Sequence, residues 1–158
     1  MNRDAAITQA FEQRFIKPLY LFLLFTLGLT GFSQMPIFKR YYIADIPGLG
    51  WLAEFYVTHV IHYLGAIALL FLMVYCGAVY VALLRRKFRL TTWAYVRIAL
   101  LAGITATGVL RVLKNLPEIF FSPGFTMFID LSHLASMMLF IVAAVVAAIL
   151  HRRWLKEA

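Results

Sequence analysis

Four apolar runs constrain this chain more than any other feature. They lie at about 16–35, 56–84, 93–113 and 125–150. A helix of about twenty residues is about 30 Å long, the thickness of a bilayer's hydrocarbon core. Hydrophobic residues make up 63% of the 158 residues and charged residues only 14%, more apolar surface than so small a globule buries. Backbone that crosses lipid must satisfy its own hydrogen bonds, and a helix does so within one segment. The expected fold is therefore all-α: a four-helix transmembrane bundle running up-down-up-down, with residues 1–158 forming a single integral membrane domain.

The net charge is +8, but the basic residues gather at the ends of the apolar runs. That is a membrane-topology pattern rather than a nucleic-acid-binding face. Lys39, Arg40, Arg111 and Lys114 fall on one side; the other eleven of the fifteen basic residues fall with the termini and the second loop. Both termini are thus expected in the cytoplasm, in a bacterial inner membrane. Residues 1–15 carry Ile7, Phe11 and Phe15 at helical spacing and read as a short interfacial helix. No small-residue cleavage site closes the apolar run that follows, so the segment does not read as a signal peptide. Pro18 sits in the first turn of the first span, where a missing N–H does no harm. Thr91 and Thr92 are N-cap candidates for the third span. The 36–55 loop carries a Pro47-Gly48-Leu49-Gly50 turn signal and interfacial aromatics. The lone Cys76 excludes a disulfide framework and reads as a small buried apolar residue. No repeat of about 20–50 residues is visible.

The second span opens on Thr58-His59-Val60-Ile61-His62-Tyr63-Leu64-Gly65. Imidazoles inside a membrane span are costly and face a bundle interior, a cofactor or a proton path. His133 opens the fourth span. His62 stands roughly 34 Å of helix before Arg85, and His133 roughly 28 Å before Arg152. Both fall in the outer half of the membrane at matched depth. Two neutral imidazoles so placed suit the axial positions of one haem iron. Buried polar residues hydrogen-bonded between helices, or a quinone or proton site, are the alternatives left open by the residues alone. A zinc or carboxylate-rich site lacks ligands, since only Asp130 is near and no Glu-x-x-His motif occurs. His59, one turn further out, suits the interface, a haem propionate or a quinone carbonyl. Arg111 suits snorkelling or a propionate.

Several short motifs, in order and spacing, resemble the cytochrome b (gamma) membrane subunit of respiratory formate dehydrogenases, a family related to the cytochrome b subunit of nickel–iron hydrogenases. Arg14-Phe15-Ile16-Lys17, followed by apolar residues to Thr30-Gly31, is similar to that family's Arg-Phe-x-His-Trp…Ser-Gly opening. His62-Tyr63-Leu64-Gly65 resembles its His-Pro-Phe-x-Gly. Thr107-Gly108-Val109 followed by Phe120-Phe121-Ser122-Pro123 resembles its Ser-Gly-Val…Tyr-Phe-Ala-Pro. Leu131-Ser132-His133 resembles its Leu-Leu-His, although Leu134 replaces the serine that follows there. The resemblance covers 14–150. It implies an outer haem b held by His62 and His133, with Gly31, Gly65, Gly108 and Arg111 as packing or propionate residues. The family's inner-haem ligands correspond to Lys17 and Ala147, which do not ligate, and His151 lies one turn beyond the second.

The resemblance thus implies a mono-haem electron-transfer subunit that anchors a periplasmic iron–sulfur oxidoreductase and exchanges electrons with quinone on the outer side. His59, Tyr63 and Asp130 are the quinone candidates. A haem-free anchor or assembly subunit is the alternative. No catalytic triad, phosphate loop or paired carboxylates appear, so the chain is not expected to act as an enzyme alone. A small transporter lacks the interrupted spans that such folds use.

Overall fold

The computed structural model describes residues 12–35 and 40–157. The interfacial helix expected over 1–15 lies mostly outside those residues. Four helices dominate: α1 (Lys17–Ser33), α2 (Phe55–Val79), α3 (Thr92–Leu113) and α4 (Pro123–Ile149). A wider π turn, Tyr80–Leu84, follows α2 and brings the second apolar helix to Phe55–Leu84. All four are long and apolar enough to cross a membrane, and only 11% of each apolar window is buried within the protein. Phe22, Phe25, Tyr56, Phe71 and Phe120 are among the large apolar side chains left exposed. Side chains of that kind on a long apolar helix are solvated by lipid or by other helices, so the chain is a multi-pass membrane protein.

Helix ends follow local chemistry. Pro18 lies in the first turn of α1. The Thr91 hydroxyl accepts from Ala94 N–H at 3.1 Å and caps α3. Ser122 caps α4 by accepting from Phe125 N–H at 3.3 Å, with Pro123 at the first helical position. This Ser-Pro start sets α4 two residues earlier than the apolar run alone predicts. The 40–54 segment holds two short 3-10 turns, Ile43–Asp45 and Gly50–Ala53, pinned by the buried Leu52.

The chain divides into two compact units after Val79. In the first, α1 and α2 form an antiparallel hairpin: Gln34 meets His59, Thr30 meets His62 and Leu27 meets Gly65. Leu23, Leu69 and Leu72 make its apolar core. In the second, α3 and α4 form another antiparallel hairpin, in which Lys114 meets Asp130, Thr107 meets His133 and Gly103 lies by Ser136.

Two features depart from the expectation. A small antiparallel ribbon interrupts the all-α reading: β1 (Phe88–Leu90) pairs with β2 (Leu155–Glu157), Arg89 opposite Lys156. Arg97 secures it from within α3. It is 6% exposed, donates Nε–H to the Trp93 carbonyl at 3.1 Å, and stacks on Trp154 at 3.8 Å. Cys76 is exposed rather than buried. Only 11% of the apolar window of this helix is buried within the protein, and Cys76 lies on the exposed part.

Candidate functional site: two equivalent histidine brackets

Within the first hairpin, the Thr30 hydroxyl lies 2.7 Å from the Thr26 carbonyl and 2.9 Å from His62 Nδ1. A hydroxyl has one hydrogen and two lone pairs. A helical threonine spends that hydrogen on the carbonyl one turn back, so the oxygen accepts from His62 Nδ1–H. The proton is thereby placed on Nδ1, and Nε2 carries the lone pair that a metal would take. Thr30 is fully buried, and the imidazole is half-buried. Gly31 completes the bracket. A Cβ there would stand 3.3 Å from His62 Cε1, so the glycine lets α1 approach the ring edge.

The second hairpin repeats the arrangement. The Thr107 hydroxyl donates to the Gly103 carbonyl at 2.7 Å and accepts from His133 Nδ1–H at 2.9 Å. Gly108 lies against His133 Cε1, with a Cβ position 3.5 Å away. The repeat extends one turn along each helix. Gln34 and Arg111 follow their threonines by four residues; His59 and Asp130 precede their histidines by three. In each hairpin those two side chains meet.

The outer pairs differ in charge. In the first hairpin, His59 Nδ1 lies 3.4 Å from Gln34 Oε1, and its ring packs on Phe55 and Tyr63 with centroids 5.1 Å and 4.2 Å away. In the second, Asp130 pairs with Arg111 Nε at 3.0 Å and with Lys114 Nζ at 2.8 Å through both oxygens. Two cations and one carboxylate leave a surplus positive charge one turn from His133, with Arg111 and Asp130 about a third exposed and Lys114 less so, at 19%.

Each residue singled out from sequence has a definite place. His62 with Gly31, and His133 with Gly108, form the two brackets. The two glycines accommodate the imidazoles themselves. Gly65 is buried against Leu27, whose Cδ2 would stand 3.2 Å from a Cβ there, so helix packing fills the space above it. Arg111 and Asp130 are engaged with each other. His59 and Tyr63 stack together. Sequence reasoning missed Thr30 and Thr107 as imidazole acceptors, and Gln34; it noted Lys114 beside Arg111 but not its pairing with Asp130. The available signal was the recurrence of Thr-Gly and His in the two halves, at a spacing too long for a short-repeat search.

At the two positions that the resemblance aligns with the ligands of a second haem, Lys17 is exposed and Ala147 is buried at 2% exposure within its own hairpin. His151 follows the end of α4, exposed, with a left-handed φ of 50°. Among the described residues no group of three or more His, Cys, Asp or Glu side chains could hold a metal ion. Fold and site thus define a helical, multi-pass membrane protein presenting two matched imidazoles on threonine–glycine brackets. No family model matches the chain, no curated protein matches it, and no solved structure matches it.

Proposed function

We propose that this chain is the membrane-anchoring, electron-transfer subunit of an oxidoreductase complex, a b-type cytochrome in which His62 and His133 would hold a single haem. One observation carries the reading. Both histidines, and both in the same way, donate Nδ1–H to a threonine whose own hydrogen goes to a helical carbonyl. That is the protonation an iron ligand needs, and a partner on the remote nitrogen fixes ring orientation and raises ligand basicity. A buried histidine serving only as a helix–helix contact does not require the same bracket twice.

The haem, when bound, supplies one-electron exchange. The chain's own residues supply the rest. Thr30 and Thr107 hold the rings, and Gly31 and Gly108 let the neighbouring helix reach them. The surplus positive charge at Arg111 and Lys114 suits a propionate carboxylate at the same end as His133. The exposed Lys17 and the packed Ala147 favour one haem rather than two.

In this reading the four helices form one up-down-up-down bundle in a bacterial inner membrane with both termini cytoplasmic. The outer loops receive a periplasmic iron–sulfur subunit. Electrons pass to or from quinone near the outer face, so protons are exchanged there too. A reduced-minus-oxidised visible spectrum of the purified chain is the test. A Soret and α-band difference that disappears in both His62→Ala and His133→Ala supports the proposal. A featureless spectrum leaves a haem-free anchor as the function.

A further inference from the structure

The ribbon in the second unit carries a cross-strand pair that its own electrostatics disfavour. Arg89 on β1 stands directly opposite Lys156 on β2. Opposed residues of an antiparallel pair share a face, with Cβ atoms about 5 Å apart, and like charges so placed repel. Both side chains are exposed, whereas Leu90 and Leu155, on the other face, are half-buried. The flanks add to the imbalance. Arg85, Arg86 and Lys87 lead into β1, and Arg152 and Arg153 lead into β2, all of them exposed. Across 85–91 and 152–157, seven cationic side chains stand against one carboxylate, that of Glu157. One or two further carboxylates would not cancel that surplus.

These charges are held on a fixed frame. Thr91 N–H donates to the Trp154 carbonyl at 3.0 Å, and the Thr91 hydroxyl lies 2.9 Å from the Arg153 carbonyl. Arg97, within α3, donates Nη2–H to the Arg152 carbonyl at 3.4 Å and stacks on Trp154. The frame also fixes depth. α3 begins at Thr92, two residues after β1, and α4 ends at Ile149, six residues before β2. Both helices are long and apolar enough to cross a membrane. The ribbon therefore lies where two spans leave the hydrocarbon, at the level of lipid headgroups. Tyr95 in the first turn of α3 and Ile149 at the end of α4 are exposed, which leaves apolar surface for acyl chains at the same end.

We infer that the Arg89–Lys156 face of the ribbon binds the phosphate of an acidic phospholipid headgroup. The Arg89 guanidinium offers two parallel N–H donors to phosphate oxygens, and the Lys156 ammonium adds a point charge. The bound anion turns a repulsive pair into a bridged one. The headgroup must be net negative, because the choline of a zwitterionic lipid brings a cation to an already cationic surface. A soluble polyanion meets the charge but not the depth. The inference does not rest on the haem reading.

The test uses the full chain in detergent micelles and native mass spectrometry of its lipid adducts, with dioleoylphosphatidylglycerol and dioleoylphosphatidylcholine as probes. Saturable binding of one phosphatidylglycerol per chain, preferred over phosphatidylcholine, is expected for the unaltered protein. Arg89→Gln and Lys156→Gln should each weaken phosphatidylglycerol binding about fivefold, and the double variant about thirtyfold. Arg85→Gln combined with Arg86→Gln removes the same charge outside the pair and should cost markedly less. Phosphatidylglycerol should raise the melting temperature of the unaltered chain and not that of the Arg89→Gln, Lys156→Gln variant. Without lipid, that variant should melt at the same temperature or higher, since the repulsion is gone. Equal losses in the two double variants would reduce the site to diffuse charge and overturn the proposal. So would equal affinity for the two lipids, full displacement by millimolar inorganic phosphate, or a loss that appears only with a lowered lipid-free melting temperature.

Discussion

Replacing Thr107 with valine removes one hydroxyl while keeping the β-branched shape. In the present structure that hydroxyl accepts from His133 Nδ1–H at 2.9 Å. Removing an outer partner of a metal ligand costs about 10–100-fold in affinity, and for a neutral hydroxyl acceptor the lower end applies, about tenfold. If His133 holds the proposed haem, the Nδ1–H···O bond would make the imidazole a stronger electron donor and so favour ferric over ferrous iron. Its loss therefore falls mainly on the ferric state and raises the midpoint potential. Tenfold corresponds to about 59 mV for a one-electron couple. Spectroelectrochemical titration of Thr107→Val should show an upward shift of that order, with Thr107→Ser restoring the original value. An unchanged potential in the valine variant, or the same shift in the serine variant, refutes the bracket as the device that sets the ligand's basicity.

Other expectations follow from the same geometry. Gly31→Ala should disturb the haem spectrum and lower haem retention more than Gly108→Ala, because the added Cβ meets His62 Cε1 at 3.3 Å in one case and His133 Cε1 at 3.5 Å in the other. Haem content after purification decides it, and equal effects would contradict the difference in approach. Lys114→Met should cost about 1 kcal/mol or less in thermal melts, since Asp130 is partly exposed and keeps Arg111. Trp154→Ala removes the ring under the Arg97 guanidinium and should destabilise by about 1–2 kcal/mol. Limited proteolysis should then cut the C-terminal strand early, while an unchanged cleavage pattern would show that the ribbon holds without the stack.

The four spans were legible in the sequence because hydropathy and basic flanks act locally. The helical ends matched the apolar runs closely, and Thr91 read correctly as a cap. The ribbon was not legible: Phe88-Arg89-Leu90 and Leu155-Lys156-Glu157 are too short to show a period, and the flanking arginines and lysine look like topology signals alone. His62 and His133 stood out because imidazole is rare in lipid. Their threonine partners did not, since a threonine inside an apolar helix ordinarily bonds its own backbone. Only the hairpin register places Thr30 and Thr107 beside the rings. The same register turned Gly65 from a candidate ring seat into a contact with Leu27, and joined Arg111 to Asp130 as an ion pair. Gln34 at the end of the first apolar run gave no sign of its contact with His59.

The measurement that bears most directly on the central claim is haem stoichiometry in the purified chain, by pyridine haemochrome against quantitative amino-acid analysis, with low-temperature electron paramagnetic resonance of the ferric form. The account predicts one haem b per chain with a low-spin bis-imidazole signal, lost in His62→Ala and in His133→Ala. Two haems per chain, or none, or a signal that survives both substitutions, would contradict it.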